Sequence, residues 1–268
     1  GLGGGDADVL VRVGAACRDE GLLVLAGLRR LRRGLGLVLR ADLDQAVKGA
    51  VSGIFAATGQ SCQAGSRLLL QESIHDEFVQ RLIDFVSTAK IGDPSDPTTQ
   101  IGPVATRPQF EKVLSYIEIA KAEGARCVFG GKTRPDLGAG QFVEPTIFVD
   151  VDNKMRIAQE EVFGPVLSVI KFKDEADALR IANDVNFGLA GAVWTKSLHR
   201  AMLITDKLKA GTIWVNNYRA TSFTSPFGGY KRSGIGRESG IDAIREYLET
   251  KCVWISTDLD VPNPFIRR

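Results

Sequence analysis

The feature that most constrains the fold is an alternation of short apolar runs with amphipathic stretches, which occupies residues 166–216. The apolar runs have strand length, and the stretches between them carry apolar residues at helical spacing over about ten residues. Consecutive strands joined by helices require crossover connections, so the sequence predicts an α/β fold with a doubly wound, mainly parallel sheet. The predicted strands are 166–172, 190–195 and 212–216, and the predicted helices are 175–182 and 197–209.

Helix-start signals precede this alternation. Asp42 or Asp44 can cap a first helix that leads towards Gly59. Thr106 and Gln109 have the spacing of a capping box, in which each side chain satisfies a backbone N–H of the other residue. The further predicted elements are strand Arg67–Gln71, a helix that opens at His75 and strand 125–129.

A further apolar stretch, residues 142–149, has strand composition despite Pro145. Proline cannot donate a ladder hydrogen bond, so this stretch is predicted to be an edge strand. No internal repeat or low-complexity linker divides residues 41–249, and we therefore predict a single domain over that range.

A cysteine lies between two glycines in the connection that follows the first helix. Residues 55–67 have the sequence FAATGQSCQAGSR, in which Cys62 is flanked by Gly59 and Gly65. Glycines let backbone amides approach a ligand closely, and a partly exposed thiol can form the thiolate that acts as a nucleophile. The same pattern suits a small buried cysteine, so the spacing alone leaves both interpretations open.

The remaining cysteines and the histidines indicate neither a metal site nor a disulfide framework. Cys17, Cys127 and Cys252 lie far apart without a Cys-x-x-Cys pair, which indicates a reducing compartment and hence a cytoplasmic location. His75 and His199, the two histidines of the chain, fall at the polar starts of predicted helices. We expect both to be solvated surface residues.

Charge and hydropathy argue against nucleic acid and membrane as partners. Acidic and basic residues are interspersed and the net charge is +2, which is no footprint for nucleic acid. No run of about eighteen uncharged apolar residues is present, so no membrane span is expected. The apolar run at 21–28 begins far from the start and precedes its arginines, which does not suit a signal peptide.

Residues 1–40 form an atypical segment rich in Gly, Leu and Arg, with seven arginines against four acids. Leu22, Leu25, Leu28 and Leu31 share one helical face, which allows a basic amphipathic helix that touches a membrane surface or a partner. Nine glycines weaken any such helix, and the narrow alphabet equally suits an altered coding stretch. The fold of this segment is therefore left open.

The C-terminal residues 250–268 follow a helix predicted at 242–249. Residues 251–256 alternate enough for a strand, and a polar tail with two prolines follows them. A late strand without a hairpin partner is either an edge strand or a strand offered to another subunit.

Four further sequence blocks follow residues 55–67 along the chain: EEVFGP at 160–165, NFGL at 186–189, GTIWVN at 211–216 and SPFGGYKRSG at 225–234. In this order the five blocks resemble the NAD(P)-dependent aldehyde dehydrogenase superfamily, whose nucleophile segment is similar to residues 55–67. The resemblance covers about residues 41–256. It implies an aldehyde dehydrogenase-like catalytic domain at 41–249 with Cys62 as the nucleophile, and a C-terminal strand and tail at 250–268 that assemble a homo-oligomer.

The resemblance also implies a cofactor site for NAD or NADP. It assigns Glu161 to the ribose hydroxyls and Phe163 to packing beside the nicotinamide. A carboxylate can accept two hydroxyl hydrogen bonds, and an aromatic face can hold a flat ring in place. Without the resemblance, Glu160 and Glu161 suit a solvated acidic pair ahead of a strand.

Two further assignments come from the resemblance. Glu238 matches a family glutamate proposed to pass protons away from the active site, and a water-poor pocket would raise its pKa. The alternative for Glu238 is an ordinary glutamate at a helix start. The loop that resembles the substrate funnel carries Tyr218, Thr221, Phe223 and Phe227, and its aromatic wall favours an apolar or aromatic aldehyde.

The chain departs from the family in one major respect. The family's chain is nearly double this length, its first half carries most of the dinucleotide-binding fold, and Gly1 would stand at the position of its general base. No Gly-x-Gly-x-x-Gly follows a predicted strand. We therefore predict oxidation of an aldehyde to a carboxylic acid through a thiohemiacetal and thioester on Cys62, with hydride transfer to NAD(P), in a chain lacking most of the cofactor domain. The alternatives are a non-catalytic assembly module of the same fold and a cofactor-free thiol esterase.

Overall fold

The computed structural model describes residues 22–25, 41–257 and 263–266, and its centre is a seven-stranded sheet. Its strands are β1 (Leu22–Leu25), β2 (Arg67–Gln71), β3 (Arg126–Phe129), β4 (Thr146–Val149), β5 (Val166–Phe172), β7 (Ala190–Trp194) and β8 (Thr212–Val215), while β6 (Phe187–Gly188) and β9 (Tyr230–Lys231) form a small antiparallel pair. The order is β3-β4-β5-β2-β1-β7-β8, and every neighbouring pair except β3–β4 is parallel. The predicted mainly parallel sheet is confirmed.

Helices cover both faces of this sheet. They are α1 (Leu43–Ile54), α2 (His75–Val86), α3 (Arg107–Ala122), α4 (Arg156–Gln159), α5 (Glu175–Asn183) and α6 (Leu198–Lys207). Alternate residues of a strand point to opposite faces, so Leu68 and Leu70 of β2 pack beneath α1 and α2, whereas Leu69 packs beneath the layer of α3 to α6. Two separate apolar cores result, one on each face, as a doubly wound α/β fold requires.

The helix starts follow the predicted capping residues. The side chain of Asp42 accepts a hydrogen bond from the Gln45 amide at 3.1 Å, which identifies Asp42 rather than Asp44 as the cap of α1. The Thr106 hydroxyl accepts from the Gln109 amide at 3.4 Å at the start of α3. The reciprocal half of the predicted capping box is absent, because the Gln109 side chain is used elsewhere.

The strand predictions were right in their bounds for two strands and wrong at a proline. Strands β2 and β5 have the predicted bounds. The predicted edge strand 142–149 is shorter and lies inside the sheet, as β4 between β3 and β5. Pro145 directly precedes the first paired residue, Thr146, so it removes no ladder hydrogen bond, and β3 is the edge strand instead.

At the ends of the chain, the structure answers one open question and corrects one prediction. Leu22–Leu25 form β1, between β2 and β7, instead of part of an amphipathic helix. An apolar run in the middle of a parallel sheet does not alternate, so its leucine spacing also suited the helix that was one of the alternatives left open. The rest of residues 1–40 lies outside the described part of the chain.

At the other end, the helix predicted at 242–249 is a 3₁₀ turn over Ile241–Tyr247, and residues 251–256 form no strand. The 3₁₀ turn buries no residue, so no packed face supports a longer helix there. A strand needs a neighbour, and within the described residues none pairs with 251–256.

Candidate active site

Cys62 lies in a β-turn between α1 and β2, as predicted, and not within a helix or strand. The Ala64 amide donates to the Ser61 carbonyl at 2.8 Å, so Cys62 and Gln63 are the two central residues of the turn. In the segment before the turn, Ala57 and Thr58 adopt left-handed conformations with φ of 53° and 56°. Such backbone is costly for residues with a Cβ and persists where the surroundings fix it.

The surroundings do fix this segment, through three hydrogen bonds to other parts of the chain. The Gly65 amide donates to the Gly53 carbonyl near the end of α1 at 3.0 Å. The Thr58 hydroxyl donates to the Gly102 carbonyl at 3.1 Å. The Gln60 side-chain oxygen accepts from the Ala105 amide at 3.0 Å. The turn is therefore fastened both to α1 and to the loop before α3.

Gly59 brings this segment against the backbone of residues 160–165. Its φ is +69°, and a Cβ at this position would lie 2.0 Å from the Gly164 carbonyl oxygen. Ser61 and Ala64 meet Phe163 across a small cavity of about 10 Å³, close to the volume that one water molecule needs. The structure thus brings the predicted nucleophile segment and the predicted cofactor segment into direct contact.

The two partly buried thiols of the described chain have different environments. Cys62 is half-buried and packs against the core beneath α1 and α2. The Cys127 thiol donates to the Phe129 carbonyl at 3.4 Å, and burial raises the pKa of that thiol. A raised pKa keeps Cys127 protonated, and a protonated thiol is a poor nucleophile. Cys252 is exposed in the C-terminal segment, and Cys17 lies outside the described residues.

The two neighbouring glutamates before Phe163 have distinct surroundings. The Glu160 carboxylate accepts two hydrogen bonds from Arg156, both at 2.9 Å, and one from the Tyr116 hydroxyl at 2.6 Å. Hydrogen bonding from Arg156 contributes most to lowering the pKa of Glu160, and the hydrogen bond from Tyr116 lowers it further. Glu160 is therefore a structural anchor. Glu161 is half-buried, with its Oε1 atom shielded from solvent.

Gln109 fixes the backbone of this cofactor segment, a role that the sequence analysis missed. Its side-chain amide donates to the carbonyls of Val162 and Phe163, at 2.8 and 3.0 Å. Phe163 itself has a φ of 54°, a left-handed conformation that these contacts help to hold. Val162 and Phe163 lie more than fifty residues from Gln109 along the chain, so local spacing gives no signal of these hydrogen bonds. The capping-box pattern instead assigned the Gln109 side chain to the start of α3.

The loop after β8 brings together some of the predicted substrate residues. Thr221 and Phe227 line an open cleft of about 330 Å³, whose wall includes Trp214. Phe227 is half-buried and packs against the same core as Cys62. Phe223 is 88% exposed and does not line the cleft. Cys62 is likewise not among the lining residues, so the cleft and the turn are neighbours and not one pocket.

Glu238 is paired with Phe227 through the backbone, since the amide of each residue donates to the carbonyl of the other at 2.8 Å. Its side chain is exposed, which differs from the water-poor pocket expected for it. No helix begins at Glu238 either, because the following 3₁₀ turn starts at Ile241.

One of the two histidine predictions was wrong. His199 is exposed as expected, but His75 is 3% exposed, and its Nδ1 lies 2.7 Å from Asp76 Oδ1. The ring lies at the start of α2 and belongs to the buried residues of that helix. Within the residues that the structure describes, no group of three His, Cys, Asp or Glu side chains could hold a metal ion. No helix in that part of the chain is long and apolar enough to cross a membrane.

Comparison with known proteins agrees with this geometry. A model of the aldehyde dehydrogenase family matches residues 36–253, which include the Cys62 turn, the Glu161 segment and the loop after β8. The chain belongs to the aldehyde dehydrogenase family. The resemblance of the five sequence blocks is thereby confirmed, and the family match begins shortly before the predicted domain boundary at residue 41.

Relatives within the family are similar over most of this chain. It is 46% identical to a betaine aldehyde dehydrogenase of Mesorhizobium japonicum over 227 residues, which are 84% of this chain and 46% of that protein. A betaine aldehyde dehydrogenase of Brucella anthropi is 47% identical over 217 residues, 80% of this chain and 45% of that protein. The chain thus spans less than half the length of these relatives.

Solved structures of the family have the same fold. The betaine aldehyde dehydrogenase of Staphylococcus aureus in complex with NAD+ has a TM-score of 0.80 at 46% identity, over 84% of this chain and 45% of that one. An indole-3-acetaldehyde dehydrogenase complexed with NAD+ has a TM-score of 0.77 at 48% identity, over 80% of this chain and 43% of that one.

Proposed function

We propose that this chain is the catalytic half of an NAD(P)-dependent aldehyde dehydrogenase that oxidises an aldehyde to a carboxylic acid through Cys62. The observation that carries the proposal is the direct contact between the Cys62 turn and the segment of Glu161 and Phe163, through Gly59 and Gly164. A nucleophilic sulfur must stand beside the hydride acceptor for this reaction, and the fold places the two segments side by side.

The Cys62 thiolate attacks the carbonyl carbon of the aldehyde. A carbon–sulfur bond forms, and the carbonyl electron pair moves to oxygen, giving a thiohemiacetal whose oxyanion the Cys62 backbone N–H helps to stabilise. Hydrolysis of the later thioester by water breaks the carbon–sulfur bond, releases the acid and restores the thiol. Glu238 is exposed and so suits the solvent end of a proton path.

The residues of this chain fit the nicotinamide and ribose end of the cofactor. The Glu161 carboxylate would accept the ribose hydroxyls, and the Phe163 ring, held by Gln109, would pack beside the nicotinamide. Bound there, the nicotinamide would accept the hydride that leaves the thiohemiacetal as the thioester forms. The described turns that lead from a strand into an α-helix contain no glycine, so the described residues offer no phosphate-binding turn.

Oxidation of betaine aldehyde and of indole-3-acetaldehyde, the compounds in the names of the relatives, tests this proposal. We expect this chain to form reduced nicotinamide with one of them in the presence of NAD+ or NADP+. Cys62→Ser should lower the rate by about a thousandfold or more, and Cys127→Ser, the matched control, should leave it unchanged.

Turnover that persists in Cys62→Ser would contradict the assignment of the nucleophile. Absence of turnover, together with no heat in calorimetric titration with either nucleotide, would contradict the proposed activity and favour a non-catalytic assembly module. A reactive thiol of this kind needs a reducing compartment, and the proposal therefore includes a cytoplasmic location.

The proposal also includes assembly of identical subunits through residues 250–268. Val253, Trp254 and Ile255 are 68%, 92% and 83% exposed, an apolar run that another surface would cover. Within the described part of the chain, strand β8 lies at one edge of the sheet and is paired with β7 alone. A second copy that covers the run would remove apolar surface from water and supply the neighbour that a strand needs.

Sedimentation velocity tests the assembly. We expect a mass of two subunits or more for the unaltered chain and a single subunit for Trp254→Asp. Phe223→Asp, at another exposed aromatic residue, should keep the larger mass. A single-subunit mass for the unaltered chain at all concentrations would contradict this part of the proposal.

A further inference from the structure

Tyr218 connects the loop after β8 to the Cys62 turn. Its hydroxyl donates a hydrogen bond to the carbonyl of Gln63, the residue that follows Cys62, and its side chain is buried. The hydrogen bond of the turn itself uses the Ser61 carbonyl and the Ala64 amide. Tyr218 therefore restrains a carbonyl that the turn's own hydrogen bond does not use.

The Tyr218 ring is itself held in a fixed frame. It packs edge-on against Trp214 with ring centroids 4.7 Å apart, and the Trp214 Nε1–H donates to the Ala220 carbonyl at 2.7 Å. The Arg219 guanidinium donates to the Ser52 carbonyl in α1 at 3.4 Å. These contacts on both sides of Tyr218 hold the loop against β8 and α1. A loop held in this way can restrain the turn through the Tyr218 hydroxyl.

We propose that Tyr218 is a positioning residue for Cys62, holding the turn so that the sulfur keeps one orientation. The inference rests on the proposed function in taking Cys62 as the nucleophile. A single hydrogen bond to the Gln63 carbonyl restrains the Gln63–Ala64 peptide unit of the turn that carries Cys62, and reactive sulfur atoms lose rate when misplaced by about 1 Å. Without the hydroxyl, the turn should open more often and expose its half-buried thiol.

Tyr218→Phe tests the proposal, because it removes the hydroxyl and keeps the ring against Trp214. The rate of Cys62 alkylation by iodoacetamide is measured peptide by peptide, with Cys127 in the same molecule as internal reference. We expect Cys62 to react about fivefold faster, the change that one ordinary hydrogen bond makes in an opening equilibrium, and Cys127 to react at its original rate. Hydrogen exchange at the amides of Ala64 and Gly65 should accelerate by a similar factor.

Tyr230→Phe is the control, since it removes the hydroxyl of an exposed tyrosine in β9, which pairs with β6 and not with the Cys62 turn. Its Cys62 rate should equal that of the unaltered chain. An unchanged Cys62 rate in Tyr218→Phe, or equal acceleration of Cys62 and Cys127, would overturn the inference. The alkylation rates are measured without nucleotide or aldehyde. They therefore test the role of Tyr218 even if the proposed oxidation is not observed.

Discussion

The Cys62 turn and the C-terminal segment 241–257 are both irregular, yet their surroundings are opposite. The turn is fastened by hydrogen bonds to α1, to the loop before α3 and to the loop after β8. In the C-terminal segment, by contrast, Tyr247 is 87% and Trp254 is 92% exposed. Irregular backbone is rigid where its polar groups have partners, and the exposed apolar segment is the one that the proposed assembly would cover.

The largest effect expected in this comparison comes from Gly59→Ala. The substitution places a Cβ 2.0 Å from the Gly164 carbonyl oxygen, in a left-handed conformation that alanine disfavours. The overlap involves backbone on both sides and cannot be relieved by turning a side chain. We expect a loss of about 3 kcal/mol or more in the free energy of unfolding, measured with urea.

Gly124→Ala is the control for this substitution. Gly124 has a φ of +97° but no atom within 4 Å of the added Cβ. Its loss should be close to 1 kcal/mol, the cost of the backbone conformation alone. Equal losses at the two positions would show that the Cys62 turn is not tightly packed against residues 160–165.

The next effect is expected at Arg67, where the turn segment enters β2. Its guanidinium is 2% exposed and donates to Asn153 Oδ1 at 2.6 Å and to the carbonyls of Ile181 and Ala182 at 3.3 and 3.2 Å. Arg67→Met leaves these buried acceptors without their donors. We expect a loss of about 3 kcal/mol, again in urea.

Arg81→Met is the comparison on the surface. Arg81 contacts Asp44 and Glu77 at 2.6 Å each, but its side chain is 43% exposed. Exposed ion pairs are screened by water, so the loss should be far smaller than at Arg67. A loss at Arg81 as large as that at Arg67 would mean that burial does not determine the strength of these contacts.

The smallest effect is expected in how the free energy of unfolding changes with pH in acid. The hydrogen bond from His75 holds the pKa of Asp76 below its ordinary value of 3.8. A depressed carboxyl pKa contributes stability that is present above the ordinary value and is lost as the pH falls through the folded-state value. Between about pH 4 and pH 2, the unfolding free energy of Asp76→Asn should therefore fall less steeply than that of the unaltered chain. Parallel slopes would contradict the role of this pair.

The sequence identified the elements whose signals are local. Strands β2 and β5 are short runs rich in apolar residues, and Asp42 and Thr106 cap helices α1 and α3. The five blocks identified the family, and the helical pattern before Cys62 with the strand pattern after it placed Cys62 on a connection. These features depend on residue type and spacing within a few positions, so they can be recognised without knowing the neighbours.

The misses all depend on contacts between distant parts of the chain. The burial of His75 depends on the elements that pack around it in the fold. The hydrogen bonds from Gln109 to two carbonyls depend on the position of residues 162–163 beside α3. The position of Leu22–Leu25 inside the sheet depends on β2 and β7. Residues 251–256 have the alternation of a strand but no neighbour within the described chain. Pattern alone indicates what a segment can become, and its neighbours determine what forms.

The most direct test of the account is to locate the covalent bond to sulfur. The chain is mixed with an activated acetate ester, quenched in acid so that a thioester survives, and digested for peptide mass spectrometry. The account predicts an acetyl group on Cys62, formed without nucleotide and absent in Cys62→Ser. Acetyl groups on Cys252 or on lysines, with Cys62 unmodified, would contradict the claim that the Cys62 turn presents a nucleophile.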